Sequence, residues 1–204
     1  MFPAKGEAMP IANQTEVKVI LADFENRIRS VVDRAWAEWR DHPNKGRYLF
    51  ARTRSNILFD SIARIALEEF GEDPNIHTIA KNQTVQFLFR DQVLIRFKKG
   101  NSNGVGSNIE TQAILEFIDP QLSIPNLLPD VHRIEVCYQS DALGTQLKDV
   151  AVVARNRRAR VWAYPLHETA PAAEVIPLPI APMDDTPPLV TPKKKPDQGV
   201  TGEA

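Results

Sequence analysis

Seven cations stand where recognition of phosphate or of an acidic partner would need them. Arg96, Lys98 and Lys99 close the run "VLIRFKK", and Arg155, Arg157, Arg158 and Arg160 crowd into "RNRRAR". After Lys99 the chain reads "GNSNGVGSN", with Gly100, Gly104 and Gly106 set among Asn and Ser. A glycine-rich turn can present backbone N–H groups to an anion, and nearby cations add attraction. The order of the parts argues against a nucleotide cradle. A Walker loop carries Lys-Ser/Thr after its last glycine and opens a helix there. Here the lysines precede the glycines, and no GxGxxG is present. The stretch reads as an exposed, mobile strand end whose cations meet an acidic surface. Four guanidiniums on one hairpin repel each other, so "RNRRAR" reads as exposed too. If both clusters lie on one side, they form a single patch for phosphates or an acidic protein. Trp162 and Tyr164, on the same face as Arg160, would add stacking surface. Asp141 and Asp149 temper its affinity for nucleic acid.

No familiar catalytic set accompanies these cations. His42, His77, His132 and His167 are scattered, without HxH, HExxH or CxxC spacing, and there is no GxSxG elbow. Cys137, mid-strand beside Val136, reads as an inert core thiol. One enzyme layout is approached. A helix bearing Glu68 or Glu69, followed by a hairpin with Asp91, resembles the restriction-endonuclease-like arrangement. That site needs an acid and then Glu-x-Lys on the next strand, to hold Mg²⁺ and orient water. The equivalent tripeptide is Arg96-Phe97-Lys98, and a cation in the acid's place repels the metal. Binding is therefore expected over catalysis, with no metal and no cofactor.

The elements that carry these residues follow from periodicity. Val17, Ile20, Leu21, Phe24, Ile28, Val31, Val32, Ala35, Trp36 and Trp39 repeat at helical spacing, which predicts one helix over 15–40. Thr15 is its expected N-cap, and Pro43 ends the run. Ile57, Leu58, Ile62, Ile65 and Ala66 predict a second helix over 54–70, with Thr53 or Ser55 as cap. In "TVQFLFRDQVLIRFKK", Val85, Phe87 and Phe89 share a face with Val93, Ile95 and Phe97 across a turn at Arg90–Gln92. The other face, with Leu88, Leu94, Arg96 and Lys98, reads as wetter. "HRIEVCYQ", "DVAVVAR" and "RVWAYPL" predict three further strands. A turn at Arg157–Arg158 would pair Val152 with Ala163, Ala154 with Val161 and Arg155 with Arg160. The fold class is α+β: two amphipathic N-terminal helices on a mainly antiparallel sheet of about five strands. Residues 109–130 are ambiguous, a short helix or strand followed by an extended connector.

Composition sets the frame. The chain has 204 residues and a formal net charge of -1, which suits one domain with a sizeable core. Residues 1–14 read as a flexible N-terminus without a signal peptide, 15–166 as the domain and 167–204 as a disordered, proline-rich tail. No apolar run reaches the ~20 residues of a membrane span, and the single cysteine fits a reducing compartment. A soluble, cytosolic protein is expected.

The stretches "WAEWRDHP", "RTRSNILFDSI", "VLIRFKK" and "DVAVVARNRRARVWAYPL" give residues 35–166 a resemblance to a group of uncharacterised bacterial proteins. Members of that group are encoded beside regulators with a helix-turn-helix and a zinc-peptidase-like domain. The resemblance implies one half of a toxin–antitoxin-like or phage-defence pair, acting on a protein partner, and carries over no catalytic residue. Two other functions remain open from the residues: a nucleic-acid-binding protein using the basic hairpin, and a divergent nuclease.

Overall fold

The computed structural model describes residues 11–81, 84–107, 117–118 and 131–167. The expected tail from Glu168 onward, the first ten residues and most of 109–130 lie outside the described residues.

The long apolar stripe at the N-terminus forms two helices, not the single 15–40 helix that periodicity predicts. α1 spans Gln14–Leu21 and α2 spans Glu25–Arg40. The cap of α1 is Asn13, not Thr15. Its side chain accepts the Thr15 N–H at 2.9 Å and donates to Glu16 at 3.2 Å. A three-residue turn separates the helices, closed by Phe24 N–H donating to the Leu21 carbonyl at 2.8 Å. The apolar spacing runs on through the turn, so the pattern hides it. Its effect is to set Phe24 edge-on against Phe89, with ring centres 5.1 Å apart.

α3 spans Ala51–Phe70 and starts three residues before its expected boundary. Phe50 precedes it with extended backbone and no side-chain cap. Ser55, one of the expected caps, instead donates back to the Ala51 carbonyl at 2.9 Å. Arg27 of α2 clamps the far end of α3. It donates to the Glu69 carboxylate at 2.9 Å, the Glu69 carbonyl at 2.6 Å and Asp73 at 2.5 Å.

Among the described residues the sheet has six strands in sequence order: β1 Ile76–Lys81, β2 Thr84–Phe89, β3 Val93–Lys99, β4 His132–Ser140, β5 Leu147–Asn156 and β6 Ala159–Pro165. β1 escapes the sequence pattern because only Ile76 is buried; the strand is a largely exposed edge. Neighbours are antiparallel except β3 and β4, which run parallel and so require a crossover through residues 100–131. Two antiparallel meanders thus meet at one parallel seam.

The helices cover one face of the sheet, where Phe87, Phe89, Ile95, Ile134 and Val152 are buried with Phe70, Ile62 and Val31. Phe70 sits edge-on to both Phe87 and Phe89. The opposite face is drier than expected. Leu94 is buried there with Phe117, Ile118 and Val131, and Arg96 is only 6% exposed.

Candidate functional site

The parallel seam positions the first group of polar residues. Its register sets Arg96 beside Glu135 and Lys98 beside Cys137, all on the face away from the helices. Glu135 is fully buried. It accepts Arg96 Nε at 3.1 Å and Arg96 Nη2 at 2.5 Å, and Arg155 Nη1 approaches at 3.4 Å. The Gly106 N–H adds a bond at 3.0 Å. Arg96 also lies over the Phe117 ring, 4.0 Å from its centre. Burial opposes ionisation of Glu135, but the two guanidiniums and the amide overcome it and hold the carboxyl below the usual range. Burial likewise lowers Arg96, with Glu135 acting against the shift. Arg96 and Arg155 were expected in an exposed binding patch; both are internal, their charge engaged by Glu135. Strand alternation placed Arg96 on a wet face and mutual repulsion placed Arg155 at an exposed tip; neither gave a sign of Glu135 and Phe117, which hold and cover Arg96, or of the Glu135 contact to Arg155.

The glycine-rich stretch is an ordered turn. Gly100 and Gly106 form a bridge, and Ser107 N–H donates back to the Lys99 carbonyl at 2.8 Å. Asn101 Oδ1 accepts the N–H groups of Asn103 and Val105, and the Asn101 carbonyl accepts Gly104 N–H. Gly104 has φ 70°, the left-handed conformation that glycine tolerates. Since Gly106 N–H is held by Glu135, the amides from 103 to 107 are all spent inside the protein. This turn offers no free row of donors to a phosphate. Val105 is 3% exposed, so the turn packs onto the sheet instead of projecting as a loose strand end.

Strand alternation parts the two lysines. Lys98 shares the face of Glu135, while Lys99 points to the helix side and donates to Ser55 of α3 at 3.4 Å. The arginine hairpin has the Arg155–Arg160 pairing that the sequence predicts, but the pairs further from the tip are Ala154–Trp162, Val153–Ala163 and Val152–Tyr164. An extra residue, Val161, bulges between them and is 42% exposed. The bulge therefore separates Arg160 from Trp162 and Tyr164. These two rings stack at 6.1 Å on the helix side, where Trp162 Nε1 donates to the Ala12 carbonyl at 2.5 Å. They are not a platform beside Arg160. Exposed at the tip are Arg157, Arg158 and Arg160. Arg158 and Arg160 face Ser102, Asn103 and Gly104 across an open groove of about 730 Å³ whose floor includes Ala151, Ala163 and Asp149. Of the seven expected cations, the structure brings Arg158 and Arg160 to the glycine turn, leaves Arg157 exposed at the tip, buries the side chains of Arg96 and Arg155, half-buries Lys98 and turns Lys99 away.

A different surface carries exposed apolar groups that the sequence pattern passed over. Between α2 and α3, Leu49 is 87% and Phe50 is 65% exposed. Leu143, in the turn after β4, is 80% exposed. Arg54 of α3 donates to the Leu143 carbonyl at 2.9 Å, which brings that turn to the N-terminal end of α3. Tyr48 packs with His42 and Trp39, at ring distances of 5.6 and 6.2 Å. The signal in sequence was the run "YLF", which belongs to neither helix stripe and follows a basic loop. Arg47 and Arg52 are exposed beside it.

No protein-family model matches the chain, and neither does any curated protein or solved structure. The carboxylates of the nuclease-like layout are dispersed. Glu68 pairs with Arg64 at 2.8 Å, Glu69 with Arg27, and Asp91 with His77 at 3.2 Å. Among the described residues, the one carboxylate near Arg96 and Lys98 is Glu135, already held by two guanidiniums. Among the described residues, no three His, Cys, Asp or Glu side chains are grouped to hold a metal ion. Burial pushes the Cys137 thiol far up, and its Sγ lies 3.9 Å from Glu135, which suits a core thiol and not a nucleophile. No described helix is long and apolar enough to cross a membrane.

Proposed function

We propose that the chain is a non-catalytic binding protein of a bacterial two-gene module, of toxin–antitoxin or phage-defence type, and that it engages a cytoplasmic protein partner through the Leu49–Phe50–Leu143 surface. The observation that carries this reading is the exposure of these three side chains at the start of α3. Large apolar groups gathered on a surface favour protein contact, and aromatic residues beside arginines are the usual anchors. Arg47, Arg52 and Arg54 surround them, so the partner segment is acidic with apolar side chains. The test is co-expression with the products of the adjacent genes, followed by size-exclusion chromatography. Phe50→Glu combined with Leu143→Glu should release the partner and leave the melting temperature within a few degrees. Retention of the complex by the double variant would sink the proposal.

The groove beside Arg158 and Arg160 favours a second reading, a nucleic-acid-binding protein. Three tip arginines support a salt slope of only about -3 in log affinity against log salt. A steeper measured slope on duplex DNA, lost in Arg158→Ala with Arg160→Ala, would favour this reading over the first.

A further inference from the structure

The groove beside the glycine turn carries charges of both signs. Arg158 and Arg160 line it together with Asp149, Gln139, Ser102 and Asn103. A Cβ built on Gly104 would lie 3.0 Å from Arg160 Nη1 and 3.7 Å from Gln139 Nε2, so the guanidinium and the amide converge on one point of the turn. Gln139 is fixed there, since its Nε2 donates to the Asn101 carbonyl at 2.6 Å. The β4–β5 register sets Asp149 directly beside Gln139. On the same face Ala151 and Ala163 are half-buried and their side chains end at Cβ, so the sheet lies low between the turn and the hairpin. A flat ring fits on such a surface.

A site for phosphate alone gains nothing from a carboxylate on its floor, because Asp149 repels the anion that the arginines attract. Both signs are used by a ligand with phosphate at one end and hydrogen-bond donors at the other. We propose that the groove binds single-stranded nucleic acid, with backbone phosphates on Arg158 and Arg160 and the amino group of an unpaired base on Asp149. This rests on the second reading above, that these arginines contact nucleic acid. The strand is single because of where the acceptor sits. Duplex bases are read by elements that project into a major groove about 8.5 Å deep. Asp149 lies on the floor of a recess, so the base must come to the protein, as an unpaired base does. The acceptor also selects the base. An ionised carboxylate accepts hydrogen bonds and cannot donate them. It takes the amino group of cytosine or adenine, whereas thymine sets a carbonyl oxygen at the same place. Phosphate contacts then fix position and Asp149 supplies the choice.

The experiment is fluorescence anisotropy of the full chain with labelled oligo(dC) and oligo(dT) of equal length, and with a mixed-sequence duplex of that length, at one low salt concentration. Oligo(dC) should bind at least about fivefold more tightly than oligo(dT), and more tightly than the duplex. Asp149→Ala, at an exposed position, should bring the dC-to-dT ratio close to one, with oligo(dT) bound no more weakly than by wild type. Arg158→Ala with Arg160→Ala should weaken both oligonucleotides. Equal affinity of wild type for oligo(dC) and oligo(dT) would overturn the proposal and leave the arginine reading standing. A preference that survives Asp149→Ala, or a duplex bound as tightly as oligo(dC), would do the same. Absence of binding, or binding indifferent to the arginine double variant, would end that reading and this proposal with it.

Discussion

Glu135 shows how much one residue can organise. It joins β3, β4, β5 and the glycine turn through Arg96, Arg155 and Gly106. Its folded pKa lies below the ordinary value of about 4.3, so its contribution to stability is full above that pH and is lost as pH falls through the folded value. Wild type should lose stability in urea titrations from pH 5 downward. Glu135→Gln should flatten that limb while costing ~3 kcal/mol at neutral pH, because two guanidiniums are left without their anion. Gly106→Ala should cost ~1–3 kcal/mol, since the new methyl meets Glu135 and Lys98 inside contact distance. Cys137, 2% exposed and with its thiol pushed up by burial, should react with a thiol reagent only as the chain unfolds. Fast labelling of the folded protein would contradict that placement. None of this was legible from single residue types. Arg96 and Lys98 read as surface cations because the carboxylate beside them, Glu135, lies 39 residues beyond Arg96, on a strand brought alongside by a parallel pairing.

Elements were more legible than their joints. The stripe holding Trp36 and Trp39 gave the buried face of α2 correctly, with each ring 7% exposed. Trp36→Ala should therefore cost ~3–5 kcal/mol in chemical denaturation, and a loss under a third of that would place the ring outside the core. The hairpin of β2 and β3 was also legible, because period-two alternation fixes its register and a three-residue turn closes it. Arg90 and Asp91 take positive φ there. What the pattern misses are events that leave hydrophobicity unchanged. The turn between α1 and α2 keeps the stripe in phase. The bulge at Val161 changes which residues share a face without altering composition. β1 has too little buried surface to announce itself. The exposed "YLF" run was visible but carried no period, and only the structure shows that Arg54 brings Leu143 to the same end of α3.

At the scale of the molecule, the packed core among the described residues begins at Ala12 and runs to Leu166, which is 3% exposed and bonded to Val150. Deleting residues 171–204 should leave the melting temperature almost unchanged, since a stretch so rich in proline has few backbone donors for a helix or a ladder. A fall of several degrees on deletion would show that the proline-rich stretch contributes to the fold. The two meanders and their single seam have a consequence for how the chain reaches this state. Each meander pairs strands that are neighbours in sequence, so its loops close at small entropic expense. The seam joins Val93–Lys99 to His132–Ser140 and must wait for a much longer closure. Zippering of each half should therefore precede their union, with Arg96 and Glu135 meeting late. Substitutions at that pair would then quicken unfolding and leave the refolding rate nearly untouched, the kinetic mark of a contact made after the barrier.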